Sequence, residues 1–180
     1  EKSKIPSLSV VIPVFNEEDT INSLLYYVSN SKIVSEIIVI DDCSTDKSVP
    51  IIKETIEKIL KEESHLNILF SQNKKNMGKG ASLRAGFELA SCDVIVIQDA
   101  DLEYDPSEYE RLIKPIVDGN ADVVYGSRFI GGTHRVLYFW HYMGNKMLTL
   151  MSNMFSNLNL TDMETCYKMF RREILDEFEL

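Results

Sequence analysis

The chain has 180 residues, 44% apolar and 26% charged, enough for one buried core and too ordinary a mix for a disordered or fibrous protein. Its formal net charge of −9 makes it a poor partner for phosphate backbones, so no nucleic acid is expected as a ligand. Acidic residues gathered at one mouth would instead favour a divalent cation. Cys43, Cys92 and Cys166 are far apart and form no CxxC pair, which argues against a disulfide framework or a zinc site. They read as small buried thiols in a reducing compartment. No signal peptide and no run of about 18 apolar residues is visible. The expectation is a single domain over 1–180, truncated at the C-terminus because the chain ends inside what reads as a helix. Its place is cytoplasmic, or peripheral at the cytoplasmic face of a membrane.

Leu8 to Phe15 is a β-branched apolar run, the pattern of a buried parallel strand. Asn16 stands where an N-cap belongs, and Glu17, Glu18 and Asp19 load the first turn of a helix carrying Ile21, Leu24, Leu25 and Val28. Glu36 to Ile40 is a second strand ending in Asp41-Asp42, and Asp46 and Ser48 open a second helix. Strand Asn67–Ser71, helix Lys79–Ser91, strand Asp93–Gln98, helix Pro106–Asp118 and strand Ala121–Tyr125 continue the alternation. This order predicts an α/β fold, a Rossmann-like, mostly parallel sheet with helices on both faces. Ligands of such sheets bind beyond the carboxyl ends of the strands. After Ser127 the alternation stops at Gly131-Gly132. Val136 to Asn157 then reads as a helix with Trp140, Met143, Met147, Met151, Met154 and Phe155 along one side. That stripe either lies against a lipid surface or fills core gaps on the sheet.

Asp99-Ala100-Asp101 follows the strand Asp93–Gln98. Side chains two apart on extended chain point to one side, so both carboxylates can converge on one point. Paired carboxylates repel unless a cation sits between them, and Mg²⁺ or Mn²⁺ takes such oxygens together with diphosphate oxygens and water. The plain alternative is a solvated acidic turn. Asp41 and Asp42 either grip a base edge or ribose hydroxyl, or cap the next helix. Asn76-Met77-Gly78-Lys79-Gly80-Ala81-Ser82 lacks the spacing of a P-loop, and there is no GxGxxG. Its glycines permit close backbone approach, and Lys79 and Arg84 bring positive charge toward the acidic centre. Arg128 binds phosphate or balances charge, and His134 and Arg135 lie in the glycine-rich loop that follows.

Taken together, Val10–Glu17, Ile38–Asp46 and Asp99–Glu103 resemble family 2 glycosyltransferases. Asn76–Ala81 and Gly126–Phe129 look like the polyprenyl-phosphate branch typified by dolichyl-phosphate mannose synthase. The resemblance spans about Ser7 to Phe170 and implies a GT-A fold and a nucleoside-diphosphate sugar donor such as GDP-mannose or a UDP-sugar. It implies that Pro13, Phe15, Glu17, Asp41, Asp42, Lys79, Asp99, Ala100 and Arg135 hold the donor nucleotide. Asp99, Asp101 and Glu103 would surround the metal, with Glu103 in place of the Gln of relatives. Asp101 and Arg128 would act in catalysis. Asp162–Phe170 resembles the family's acceptor segment, with Thr165-Cys166 where relatives have Cys-Gly. An ionised lipid-phosphate acceptor needs no general base; a sugar hydroxyl would need one, Asp162 or Glu164. The alternatives are a transferase acting on a sugar hydroxyl in polysaccharide synthesis and an inactive nucleotide-binding module.

Overall fold

The computed structural model describes residues 6–63, 65–127 and 138–177. Six strands are formed: β1 (Leu8–Val14), β2 (Val34–Asp41), β3 (Asn67–Gln72), β4 (Val94–Ile97), β5 (Val123–Tyr125) and β6 (Lys168–Arg171). They make one sheet in the order β3-β2-β1-β4-β6-β5. β1 lies parallel to both β2 and β4, and β2 parallel to β3. These central strands are Val- and Ile-rich because both their faces are covered.

Alternation along the strands sorts the core into two layers. Val10, Ile12, Ile37, Val39, Val94, Val96 and Met169 face one side. There they meet α1 (Ile21–Ser29), α2 (Ser48–Glu62) and α4 (Tyr109–Val117) through residues such as Leu24, Ile52 and Ile113. Val11, Ile38, Ile40, Ile95, Ile97 and Phe170 face the other, covered by Leu83 and Phe87 of α3 (Lys79–Leu89). Gly86 lets α3 approach closely, since a Cβ there would collide with Val11 Cγ1. A last helix, α5, spans Phe139–Ser156.

Several details depart from the sequence reading. Asn16 is no N-cap: its φ is +57°, and its side-chain oxygen accepts instead from the Thr45 N–H at 2.8 Å. Helix α1 begins five residues later, at Ile21. The segment from Pro106 starts as a short 3₁₀ turn over Pro106–Glu108, with the Asp105 carboxylate capping the Ser107 N–H at 2.9 Å. The sheet is mostly parallel, as expected, with one strand reversed. β6 is inserted antiparallel between β4 and β5, with Val96 opposite Met169 and Val124 opposite Met169 on the other side. β5 is therefore a partly exposed edge strand rather than a core one.

Candidate active site

The carboxyl ends of β1, β2 and β4 open onto a cleft of about 220 Å³, lined by Pro13, Val14, Phe15, Glu17, Asp42, Lys79, Ser82, Asp99, Ala100 and Asp101. Two loops with left-handed residues shape its β1–β2 side, at Asn16 and at Cys43 with φ of +63°. The two lock together: the Asn16 N–H donates to Ser44 Oγ at 2.9 Å and the Glu17 N–H to Ser48 Oγ at 2.8 Å.

Neighbouring aspartates at the end of β2 do different work. Asp41 is buried under the sheet's edge, where its Oδ2 accepts from the Ser44 N–H at 3.1 Å and Gln72 Nε2 at 2.9 Å. It is not among the lining residues. Asp42 does line the cleft, and it also grips the loop before α3. Its carboxylate accepts from Asn73 Nδ2 at 2.7 Å and from the Met77 and Gly78 N–H groups at 2.9 and 2.7 Å. Burial pushes the Asp42 carboxyl upward, but these hydrogen bonds outweigh it and hold the group below the usual carboxylate range.

β4 ends at Ile97, so Asp99 and Asp101 lie beyond the strand, Asp101 within the turn that begins at Ala100. Both line the cleft. Buried Gln98 pins that turn. Its Nε2 donates to the carbonyls of Asp99 and Tyr104, each at 3.1 Å, while the Tyr109 hydroxyl donates to its Oε1 at 2.8 Å. Burial raises Tyr109 well above the ordinary phenol, which keeps that donor protonated. Leu102, with φ of +60°, turns the chain away, and the Glu103 N–H donates to Asp101 Oδ1 at 2.9 Å. The Glu103 side chain is exposed and does not line the cleft. Among the described residues no three His, Cys, Asp or Glu side chains are grouped to hold a metal.

Lys79, the first residue of α3, reaches across to Asp99 Oδ1 at 2.5 Å and Cys166 Sγ at 3.0 Å. Burial alone would lower its ammonium; the bonds to Asp99 and Cys166 leave it raised. Cys166, in contact with Lys79, is half-buried, and Cys43 is half-buried too, so only Cys92 fits the expectation of a buried thiol. Burial raises the Cys166 thiol above its usual value, against the pull of Lys79.

Cys166 belongs to a segment sewn onto the turn after Asp101. Its N–H donates to the Tyr104 hydroxyl at 3.2 Å, Thr165 Oγ1 to the Gly126 carbonyl at 2.6 Å, and the Tyr167 hydroxyl to the Asp105 carbonyl at 2.8 Å. Just upstream, Asp162 is buried and Glu164 exposed, and Asn145 of α5 donates to both. The buried residues of α5 are Asn145 and Thr149, while Trp140, Met143, Met147, Leu150, Met151, Met154 and Phe155 are exposed. The methionine stripe therefore points outward and does not fill the core. No described helix is long and apolar enough to cross a membrane.

Of the residues singled out from sequence, Pro13, Phe15, Glu17, Asp42, Lys79, Asp99, Ala100 and Asp101 share the cleft; Asp41, Glu103, Asp162 and Glu164 stand outside its lining. Arg128, His134 and Arg135 lie outside the described residues. Asn73 and Asn145 were not singled out, and Cys166 only as a small thiol and a member of the acceptor segment, although the step of four between Asn145, Thr149 and Asn153 marks a polar face on α5.

The fold that carries this cleft is that of GT-A glycosyltransferases. The chain belongs to glycosyl transferase family 2, whose profile matches residues 9–178. It is 29% identical over 180 residues to an undecaprenyl-phosphate 4-deoxy-4-formamido-L-arabinose transferase of Yersinia enterocolitica, covering 98% of this chain and 52% of that one. It is 33% identical over 127 residues to a dolichol-phosphate mannosyltransferase of Pyrococcus furiosus, covering 69% and 34%. The chain thus spans about half the length, or less, of these curated relatives. Among solved structures, the mannosyltransferase PcManGT of Pyrobaculum calidifontis, in complex with GDP-Man and Mn²⁺, superposes with a TM-score of 0.71 at 18% identity, over 97% of this chain and 47% of that one. Glucosyl-3-phosphoglycerate synthase of Mycobacterium tuberculosis, with Mn²⁺, UDP and glucosyl-3-phosphoglycerate, gives 0.69 at 21%, over 94% and 58%.

Proposed function

We propose that this chain is the catalytic domain of an inverting glycosyltransferase that moves a sugar from a nucleoside-diphosphate donor to a polyprenyl phosphate at a membrane surface, with Mg²⁺ or Mn²⁺ as cofactor. The observation that carries this reading is the coexistence of two features: a cleft walled by Asp99 and Asp101, and a helix, α5, that turns its apolar side outward next to the acceptor segment. The relatives named for undecaprenyl and dolichol phosphates support the same acceptor class.

Asp99 and Asp101 suit a hard cation. They offer carboxylate oxygens on one wall, and Asp99 already attracts an ammonium, that of Lys79. With two protein carboxylates in reach, diphosphate oxygens and water complete the shell, the mode in which Mg²⁺ binds nucleotides. When bound, the ion neutralises charge on the departing diphosphate. Phe15, 45% exposed on the cleft wall, gives a nucleobase a flat apolar surface, and Pro13, Glu17 and Asp42 stand around it. Ala100 leaves room beside the carboxylates. Lys79, released from Asp99, places its charge on the diphosphate, as Arg128 and Arg135 are proposed to do from the loop beyond Ser127.

The reaction is an in-line displacement. An oxygen of the acceptor phosphate forms the new bond to the anomeric carbon, and the bond to the diphosphate breaks with its electrons. The attacking oxygen arrives ionised, so no proton has to be removed, and the work reduces to alignment and charge stabilisation. Asp162 and Glu164 then orient the acceptor and take no proton.

The test is release of nucleoside diphosphate from a panel of GDP- and UDP-sugars, with a short-chain polyprenyl phosphate in vesicles and Mn²⁺ or Mg²⁺. Release should need both the metal and the lipid phosphate, and the fluorescence of Trp140, the chain's single tryptophan, should shift to the blue on the vesicles. Release that ignores a chelator, or that runs equally without the lipid phosphate, overturns the proposal.

A further inference from the structure

We propose that Asn145 is a positioning residue for the acceptor half of the site, holding Asp162 and Glu164 in register with the lipid-facing helix. The inference rests on the transfer proposed above and concerns a residue to which that reading gives no part. One amide nitrogen spans both carboxylates: Asn145 Nδ2 donates to Asp162 Oδ1 at 3.1 Å and to Glu164 Oε2 at 2.8 Å. Its Oδ1 in turn accepts from Thr149 Oγ1 at 3.4 Å, which fixes which end of the amide faces the acids. Thr149 Oγ1 also accepts from the Met163 N–H at 3.2 Å, so the loop is held between the two carboxylates as well as at them. One turn further along α5, Asn153 completes the seam with a pair of bonds to the Leu160 backbone at 2.7 and 2.8 Å.

The chemistry of an amide suits this place. Asn145 is only 5% exposed, and a buried polar side chain is costly unless its groups are satisfied. An ammonium or guanidinium here would cancel charge on the acids; an amide orients two carboxylates with one proton each and leaves their charge in place. Glu164 is two residues from Cys166, whose sulfur touches Lys79 at Asp99, so the seam ends at the donor cleft. The apolar side of α5 and the carboxylates of the acceptor segment consequently move as one body. A lipid surface that seats α5 also sets where Glu164 stands.

The experiment compares Asn145→Asp with the unchanged full-length protein, measuring kcat and KM for polyprenyl phosphate, the Kd of the donor nucleotide with Mn²⁺, and the melting temperature. A third carboxylate against the first two drives the acceptor segment off α5. The expected result is a fall of tenfold or more in kcat/KM for the acceptor with the nucleotide Kd within twofold of its original value. A merely structural role would lower the melting temperature and weaken nucleotide and acceptor together, and that pattern overturns the proposal. So does a folded variant whose acceptor constants stay within twofold. Where Asn145→Asp does not fold, Asn145→Ala is read by the same criteria, and failure of both to fold assigns the residue to structure alone. An unchanged protein inactive on every polyprenyl phosphate overturns the transfer reading and this one with it, whereas an active protein with an indifferent Asn145→Asp overturns only the positioning role.

Discussion

Replacing Asp42 with Asn keeps the shape of the side chain and removes its charge. In the native chain this carboxylate is 3% exposed and accepts from Asn73 Nδ2 and from the Met77 and Gly78 N–H groups. All three partners are donors. An amide in the same place turns an NH₂ group toward a donor whichever way it is flipped, and at least one backbone N–H loses its acceptor. A buried donor left without a partner costs about 1–3 kcal/mol. Taking about 2 kcal/mol, the melting temperature of a chain this size falls by about 4–8 °C.

The dependence on pH sharpens the expectation. The folded Asp42 carboxyl lies below its ordinary value because hydrogen bonding outweighs burial. Its stabilisation is therefore fully present above the unfolded value, about 3.9, and is lost as pH falls through the folded value. The gap between wild-type and Asp42→Asn melting temperatures should hold from roughly pH 8 down to 5, then narrow below about pH 4. Circular dichroism melts across that range provide the measurement. No gap at neutral pH, or a gap of unchanged width in acid, would refute the clamp.

Asp101→Ala should abolish metal-dependent transfer while leaving the melting temperature nearly unchanged, because this exposed carboxylate accepts from the nearby Glu103 N–H and packs against little; full activity with added Mn²⁺ would count against the metal role. Donor nucleotide at a hundred times its Kd should raise stability by about 2.7 kcal/mol when Mn²⁺ or Mg²⁺ is present, and equal thermal shifts with a chelator would argue that Asp99 and Asp101 hold no cation. Two glycines of α3 should respond with opposite sign. Gly86→Ala drives a methyl into Val11 and should cost about 1–3 kcal/mol, recovered in part by Val11→Ala, whereas Gly80→Ala meets nothing within 4 Å and should gain up to about 1 kcal/mol in urea melts.

The central sheet was legible because β1, β2 and β4 are covered on both faces and so appear as unbroken Val and Ile runs. Strand β6 was not: Lys168-Met169-Phe170-Arg171 is four residues long, and both its partners lie far away in sequence. The acidic pair at Asp99 and Asp101 was readable as a motif, but the turn from Ala100, pinned by Gln98, was not. Nothing local in the sequence announces that Lys79 meets Cys166, a contact between residues 87 positions apart. The outward face of α5 was the harder case. The same methionines fit a core filler and a lipid face, and the deciding signal lay in the polar residues between them, Asn145, Thr149 and Asn153, which turn inward.

The reversal of β6 has a consequence for how such a protein can change. Because that strand runs against β4, the chain enters it from the very edge where Asp99 and Asp101 stand. All the residues that line the cleft have been laid down by Asp101, and the segment from Leu160 to Tyr167 arrives afterwards, fastened from outside by Tyr104, Gly126 and Asn145. The lining of the cleft and the segment fastened beside it are therefore written in separate stretches of sequence that meet along a seam of polar contacts. On the proposed reading, a chimaera that takes residues 160–167 from a relative with another acceptor is expected to keep the sheet as it is, much as a die is changed without rebuilding the press.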